Sequence, residues 1–488
     1  MSTLKIWQNG QSRQVSFEGT PLLQSVLSEA GCAMDLPCGG RGVCGKCAVT
    51  LKGQVSEPNK AEQEAGTRLS CQAHLLGDAE VILPDTEQNR IEGAEGKLHV
   101  GRPLAAGIGA AVDIGTTTIV LNLYRMFDGS VLAAESCMNP QRTISADVMG
   151  RIGASLDGQG ELLQQLVKEA IFRLLDRACT SVGLTRQAVE IMVIAGNTTM
   201  LYLLTGKNPE ALSHAPFEAD CLFGEDDRLD GIRVFYPRCM NAFVGADITC
   251  AVLASGMEEK EETSLLCDIG TNGEIALWKD GKLYVTSTAA GPAFEGAGIS
   301  CGCGSVTGAI DRVWTENGKI MAHTIGDAPA VGICGSGLID AVAAYLETEL
   351  VDETGASEED QLPLRDDVFL IPKDIRQVQL AKAAIAAGIQ TLLELAKVKT
   401  EEIRTLYIAG GFGSHLNVAS AAAIGLIPEE LADRVITIGN GSLTGAASIL
   451  LDGANRDLSQ KLAAGSSHIN LGGNSNFNEH YMDQMFFE

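Results

Sequence analysis

Asp113-Ile114-Gly115-Thr116-Thr117-Thr118 lies between two apolar runs, Gly109–Val112 and Ile119–Leu123. The second run is β-branched and predicts a strand. The first is Ala-rich, short and stopped by a turn, which also predicts a strand. An Asp closing one strand, then Gly, then hydroxyl residues, makes a tight hairpin. Gly115 lets the backbone turn and approach a ligand closely. The free amides and the hydroxyls of Thr116, Thr117 and Thr118 then face outward as donors, which suits a phosphate. Asp113 supplies a hard oxygen for a metal's hydration shell. Taken alone, the same residues also make an ordinary hairpin turn.

The motif recurs. Leu265–Ile275 reads Leu-Leu-Cys-Asp-Ile-Gly-Thr-Asn-Gly-Glu-Ile, so Asp268, Gly270, Thr271, Asn272 and Gly273 form a second hairpin of the same kind. A repeat of so long a period exceeds any solenoid unit and points to two similar domains facing each other. A third glycine turn, Ile408-Ala409-Gly410-Gly411-Phe412-Gly413, follows strand-like Leu406–Ala409 and precedes helical Asn417–Ala423. With no side chains at Gly410, Gly411 and Gly413, a flat ring or a phosphate can lie on the backbone. The set resembles the nucleotide site of the superfamily that contains actin, sugar and acetate kinases and the 70-kDa chaperones. The resemblance covers roughly Ile108 to the C-terminus. It implies two RNase-H-like α/β lobes with ATP and Mg2+ in the cleft between them.

Further candidates lie around the hairpins. The apolar strand Glu190–Ala195 leads into Gly196-Asn197-Thr198-Thr199-Met200, where Asn197 either caps the next helix or touches phosphate or Mg2+. Asp247 interrupts the apolar run Ala242–Ala251. A carboxylate there is costly without a partner, so Asp247 is either a helix cap or a residue facing the cleft. Glu274 follows the second hairpin directly, beside the expected terminal phosphate, and is the candidate for orienting the attacking water; a solvated Glu at a strand start is the alternative. Gly335 opens the Ala-rich helix Leu338–Leu350, with Ser336 as a plausible cap, and a helix start after a Gly turn also faces phosphate. Cys301 and Cys303 have no nearby His or second Cys pair and read as buried thiols. Glu353–Asp367 predicts an acidic surface loop and Asp374–Lys397 a long amphipathic helix.

At 488 residues the chain is longer than one usual domain. Its formal charge of −26 argues against nucleic acid or an anionic membrane surface as partner. Met1–Gly10 has no signal-like apolar core, and no run of about 18 apolar residues occurs, so the expected location is cytoplasmic. Fourteen cysteines there point to metal or reduced thiols, not to a disulfide frame.

Residues 1–84 stand apart. Thr3–Trp7 and Gln14–Phe17 predict strands joined by a turn at Asn9-Gly10. Thr20-Pro21 predicts a helix start, and Leu22, Leu23, Val26, Leu27 and Ala30 share its apolar face. Ala79–Leu83 is a closing strand. Strands, helix, loop and strands is the order of a small β-grasp domain. Its loop reads Cys38-Gly-Gly-Arg-Gly-Val-Cys44-Gly-Lys-Cys47, and Cys71 arrives later. Four thiolates are what a [2Fe–2S] cluster needs, and the glycines let the backbone donate amide hydrogen bonds to its sulfides. The C-x5-C-x2-C spacing resembles the adrenodoxin-like variant of the plant-type ferredoxin loop. A structural zinc site is the alternative, disfavoured by so many Gly between the first two Cys. Cys32 reads as a spare thiol. Residues 85–107 are polar and read as a linker, leaving 108–262 and 263–488 as the two ATPase lobes.

Joined, these parts resemble the reductive activators of corrinoid enzymes. The residues that carry the likeness are Cys38, Cys44, Cys47 and Cys71, both Asp-Ile-Gly-Thr hairpins, Gly196–Thr199, Gly291-Pro292-Ala293-Phe294-Glu295-Gly296 and the turn at Gly410. The resemblance implies one-electron transfer from the [2Fe–2S] cluster to the Co(II) corrinoid protein of a methyltransferase system, restoring Co(I) at the expense of ATP. An upstream electron donor is needed and the sequence does not name it. Family members can carry a further small domain that the 85–107 segment leaves no room for, which puts a homodimer in question. The other readings are an activator of a radical dehydratase, which the β-grasp loop counts against, and a nucleotide-binding redox sensor.

Overall fold

The computed structural model describes residues 2–8, 11–30, 32, 34, 42, 47–83, 98–410 and 416–487. The Asn9-Gly10 turn, Cys38, Cys44, Gly411 and Gly413 lie outside them. The chain forms two compact units, residues 1–88 with 140–166, and residues 89–139 with 167–488.

The first unit holds a five-stranded mixed sheet in the order 11–17, 2–8, 75–82, 48–55, 68–69. Strand 2–8 runs parallel to 75–82 and the other pairs are antiparallel. Along 75–82 burial alternates residue by residue, so Leu75, Ala79 and Val81 face inward. Leu23, Val26 and Leu27 of helix 23–29 close that face over Leu4, Ile6 and Val81. The helix starts at Leu23, later than expected from Thr20-Pro21. The backbone before it is already taken, because Leu22 bridges His74 and Leu75 N donates to Pro21 O at 3.0 Å.

Glu62 anchors the end of this unit that carries Cys47 and Cys71. It caps back onto Asn59 N at 3.1 Å and accepts from Arg68 Nε at 2.9 Å and Leu69 N at 3.0 Å. Burial pushes its carboxyl up, but the bonds from Leu69, Arg68 and Asn59 outweigh this and hold it below the ordinary value. A depressed folded-state value means stability that is present at neutral pH and is lost as pH falls through it. Glu62→Gln should lower the stability of this unit by about 2–3 kcal/mol at pH 7. Melting of the two proteins followed by circular dichroism checks this, and the gap between variant and wild type should narrow as pH falls below the ordinary glutamate value.

In the second unit, two six-stranded sheets repeat one plan. Strands 108–114, 118–125 and 130–138 form an antiparallel meander, and 189–196 then 232–235 add in parallel on the far side of 108–114. Strands 264–269, 273–279 and 282–288 form the second meander, with 405–409 and 435–439 added in parallel beside 264–269. The order is 3-2-1-4-5 in both, the duplicated α/β lobes expected from the repeated hairpin. The two halves exchange helices. Helix 246–255 packs Ile248, Ala251 and Val252 against Leu266 and Ala276 of the second sheet. Helix 441–451, near the end of the chain, packs Leu443 and Leu450 against Ala111 and Val120 of the first. Both helices therefore begin near the hairpin ends of the sheets.

Several expected boundaries move. Residues 98–107, read as linker, are docked on helix 441–451, with Leu104 N donating to Leu450 O at 3.1 Å and Leu98 and Leu104 joining its core. The acidic segment 353–367 contains strand 362–365, paired with 368–370, and Leu362 and Leu370 are buried. Helix 372–396 is long and apolar enough to cross a membrane by length and composition. It is a core helix, with Ile375, Val378, Ile385 and Ile389 fully buried.

Candidate nucleotide site and cluster loop

Each hairpin is locked by its own backbone. In the first, Gly115 N donates to Thr118 O at 2.8 Å, and Asn139 braces the turn through Thr117 O at 2.8 Å and Gly115 O at 2.9 Å. In the second, Gly270 N donates to Asn272 O at 3.0 Å, a shorter turn. The difference sets what stands opposite each Asp. Asp113 pairs in register with Val120, whereas Asp268 pairs with Glu274. The tighter hairpin thus faces a second carboxylate where the first has an apolar residue.

The four acids Asp113, Asp247, Asp268 and Glu274 form one interacting group. Burial, then the Asp113 and Glu295 charges, push Asp268 up to about 7. Burial, then Asp268 and Asp113, push Asp247 up to about 7. Glu274 is raised well above the ordinary carboxylate value by burial and by Asp247 and Asp268, with Asn272 opposing. Asp113 is also raised by burial, against hydrogen bonds from Ser442 Oγ at 2.7 Å and Asn440 Nδ2 at 2.9 Å. Asn440 caps helix 441–451, so that helix start faces Asp113 and its dipole favours the negative charge.

Several alternatives separate on this geometry. Glu274 is 6% exposed, which removes the solvated-strand reading. Asp247 does not cap its helix, because Gly245 occupies the cap and Asp247 sits in the first turn, accepting from Ile248 N at 2.8 Å. Of its two expected roles, Asn197 takes that of the cap. It caps helix 198–205 through Met200 N at 2.9 Å and donates to Thr116 Oγ1 of the first hairpin at 3.1 Å. Ser336 is not a cap, since helix 335–347 starts at Gly335 after Cys334, and Ser336 Oγ donates to Asp311 O at 3.0 Å. Gly410 has φ +110°, and a Cβ there would meet Ile269 O at 2.6 Å and Asp268 Oδ1 at 3.0 Å, so no side chain fits between this turn and the second hairpin.

The sequence reading left four contributors unassigned: Glu295, Asn440, Ser442 and Asn139. Glu295 stood in a quoted glycine motif, but nothing marked its side chain. It accepts from Thr117 Oγ1 of the first hairpin and, at 2.5 Å, from Thr271 Oγ1 of the second. Asn440 and Ser442 carry a helix-cap pattern, but no sequence signal joins them to Asp113.

In the first unit Cys47 and Cys71 are buried with their sulfurs 3.2 Å apart. Cys47 opens strand 48–55 and Cys71 follows strand 68–69, so the sheet fixes both backbones. Two converging buried thiols fit ligands of one iron. Cys32, the spare thiol, lies in the core with Leu4 and Leu23.

Comparison with known proteins gives three family matches along the chain. Residues 6–76 match the 2Fe-2S iron-sulfur cluster binding domain, 108–260 the RACo middle region, and 262–488 the C-terminal domain of RACo, the ASKHA domain. The corrinoid activation enzyme RamQ of Eubacterium limosum is 34% identical, over 97% of each chain. The [Co(II) methylated amine-specific corrinoid protein] reductase of Methanosarcina barkeri is 26% identical, over 78% of this chain and 77% of its own. A solved reductive activator for corrinoid, iron-sulfur protein superposes with a TM-score of 0.72 at 25% identity, covering 99% of this chain and 98% of that one. The ferredoxin-type unit, the paired hairpins and the near full-length likeness to RamQ together place this chain in the RACo family of reductive activators of corrinoid proteins.

Proposed function

We propose that this protein is an ATP-dependent reductive activator. It passes one electron from a [2Fe–2S] cluster held by Cys38, Cys44, Cys47 and Cys71 to the Co(II) corrinoid of a methyltransferase partner, restoring Co(I). The observation that carries the nucleotide half is the convergence of both phosphate-type hairpins on one acid cluster. Plant-type clusters lie near about −400 mV. An acceptor about 100 mV lower costs about 2.3 kcal/mol per electron, an energy on the scale that differential binding of two nucleotide states supplies.

The site residues divide the work. The hairpin amides and Thr116, Thr117, Thr118, Thr271 and Asn272 donate to phosphate oxygens. Gly410, closed against Ile269 O and Asp268, brings the late glycine turn, where the base would lie, up to the second hairpin. Asp113, Asp247 and Asp268 present acceptors to a hydrated cation, and Glu274 orients the attacking water. Bound magnesium supplies the positive charge that offsets their mutual repulsion and polarises the terminal phosphate. With the chain reduced in the absence of oxygen and mixed with a Co(II) corrinoid protein, magnesium and ATP should remove the Co(II) paramagnetic signal. A signal lost equally fast without ATP would sink the proposal.

A further inference from the structure

We infer that Glu295 is a displaceable stand-in for the terminal phosphate: its carboxylate ties the two hairpins together until a nucleotide takes its place. The inference rests on the nucleotide reading above. Thr117 and Thr271 follow the Gly of their hairpins by two residues and one residue, and each hydroxyl donates to a different oxygen of Glu295. One anion with two oxygens, bonded to one hydroxyl from each hairpin, presents the acceptor pattern of a phosphate. Its donors are hydroxyls, so its charge is not neutralised by them, and it adds to the repulsion on Asp268. A terminal phosphate in the same place would meet both the occupied hydroxyls and a like charge. Phosphate and Glu295 therefore compete.

The carrier of Glu295 is built to couple this exchange to its surroundings. Glu295 ends the short turn 292–295, bounded by Gly291 and Gly296 at φ +80° and +76°. Gly291 N donates to Thr271 O at 2.9 Å, tying the turn to the second hairpin. A Cβ at Gly296 would lie 2.6 Å from Cys303 O, and one at Gly335 would lie 2.0 Å from Phe294 O. Displacing Glu295 therefore pushes on a turn wedged against the 301–303 loop and the start of helix 335–347, which is how the presence of a terminal phosphate is felt in the second lobe.

The test is calorimetric titration of full-length wild type, Glu295→Gln and Glu295→Ala with magnesium and either a non-hydrolysable ATP analogue or ADP. Both variants should bind the triphosphate analogue about ten-fold or more tightly, with a smaller gain for ADP. Without nucleotide, amide exchange in 115–118 and 270–273 should be faster in both variants. Melting curves report whether each variant is folded, and Gln keeps the shape should Ala not fold. Unchanged or weaker binding overturns the inference. Unchanged binding with lost hydrolysis would overturn it in favour of a catalytic base. A wild type that binds no nucleotide would remove the functional reading itself.

Discussion

Cys71→Ser should leave nucleotide binding intact and cut electron delivery by about 10²-fold or more. The argument rests on how completely the protein fixes that backbone. Ser70 N donates to Cys47 O at 2.9 Å, Ser70 Oγ donates to Gln24 Oε1 at 2.7 Å, and Leu69 N is held by Glu62. The substitution therefore removes a sulfur without moving the strand that presents it. A serine hydroxyl stays protonated at neutral pH and is harder than thiolate, so it is a poor partner for iron. The cluster site would be left with one oxygen where a thiolate is needed. Iron content and the paramagnetic spectrum of the reduced chain should fall to a small fraction of wild type, and ATP-dependent Co(II) reduction should fall at least about 10²-fold. Cys32→Ser is the matched control. Its thiol is packed in the core near Leu27, so it should keep the cluster and lose only some stability. Full iron retention in Cys71→Ser would reject the ligand assignment.

The hairpins and the β-grasp order were legible because local sequence fixes them. Gly115 and Gly270 permit the tight turn in each hairpin, and the repetition of Asp-Ile-Gly-Thr announced the second lobe. What escaped was non-local. Helices 246–255 and 441–451 each pack on the opposite sheet, and, Asp247 apart, their residues are mostly small and apolar, with no face that names its partner. Asn440 and Ser442 reach Asp113 across more than three hundred residues. Glu295 acquires a role only because Thr117 and Thr271 meet in space. The late helix start after Thr20-Pro21 has the same cause, since pairing with 74–75 overrode a sound local cap pattern. Asp247 was legible as a charge in an apolar run and Glu274 by its place directly after the second hairpin, but their shared environment became visible only with the strands in register.

Asp268→Asn should make the nucleotide-free protein more stable while destroying its activity, and Asp113→Asn should not show the first effect. Asp268 is pushed from 3.8 up to about 7 by burial and by Asp113 and Glu295. A raised folded-state value means that charge on this group costs stability above about pH 7, and costs nothing below about pH 4, where both states are protonated. Removing the charge should recover on the order of 1–2 kcal/mol at pH 8, with the gain shrinking as pH falls. Asp113 sits among the same charges but accepts two side-chain hydrogen bonds, from Asn440 and Ser442. An Asn there must turn its NH2 toward one of those donors, leaving a buried group unsatisfied, and should destabilise by about 1–3 kcal/mol. Both variants lose an acceptor facing the hydrated cation and should lower ATP turnover by about 10²–10³-fold. Melting temperature against pH, measured with turnover on both proteins, separates the cases. Equal destabilisation by the two substitutions would mean that the acids are held by local packing and not by their mutual repulsion.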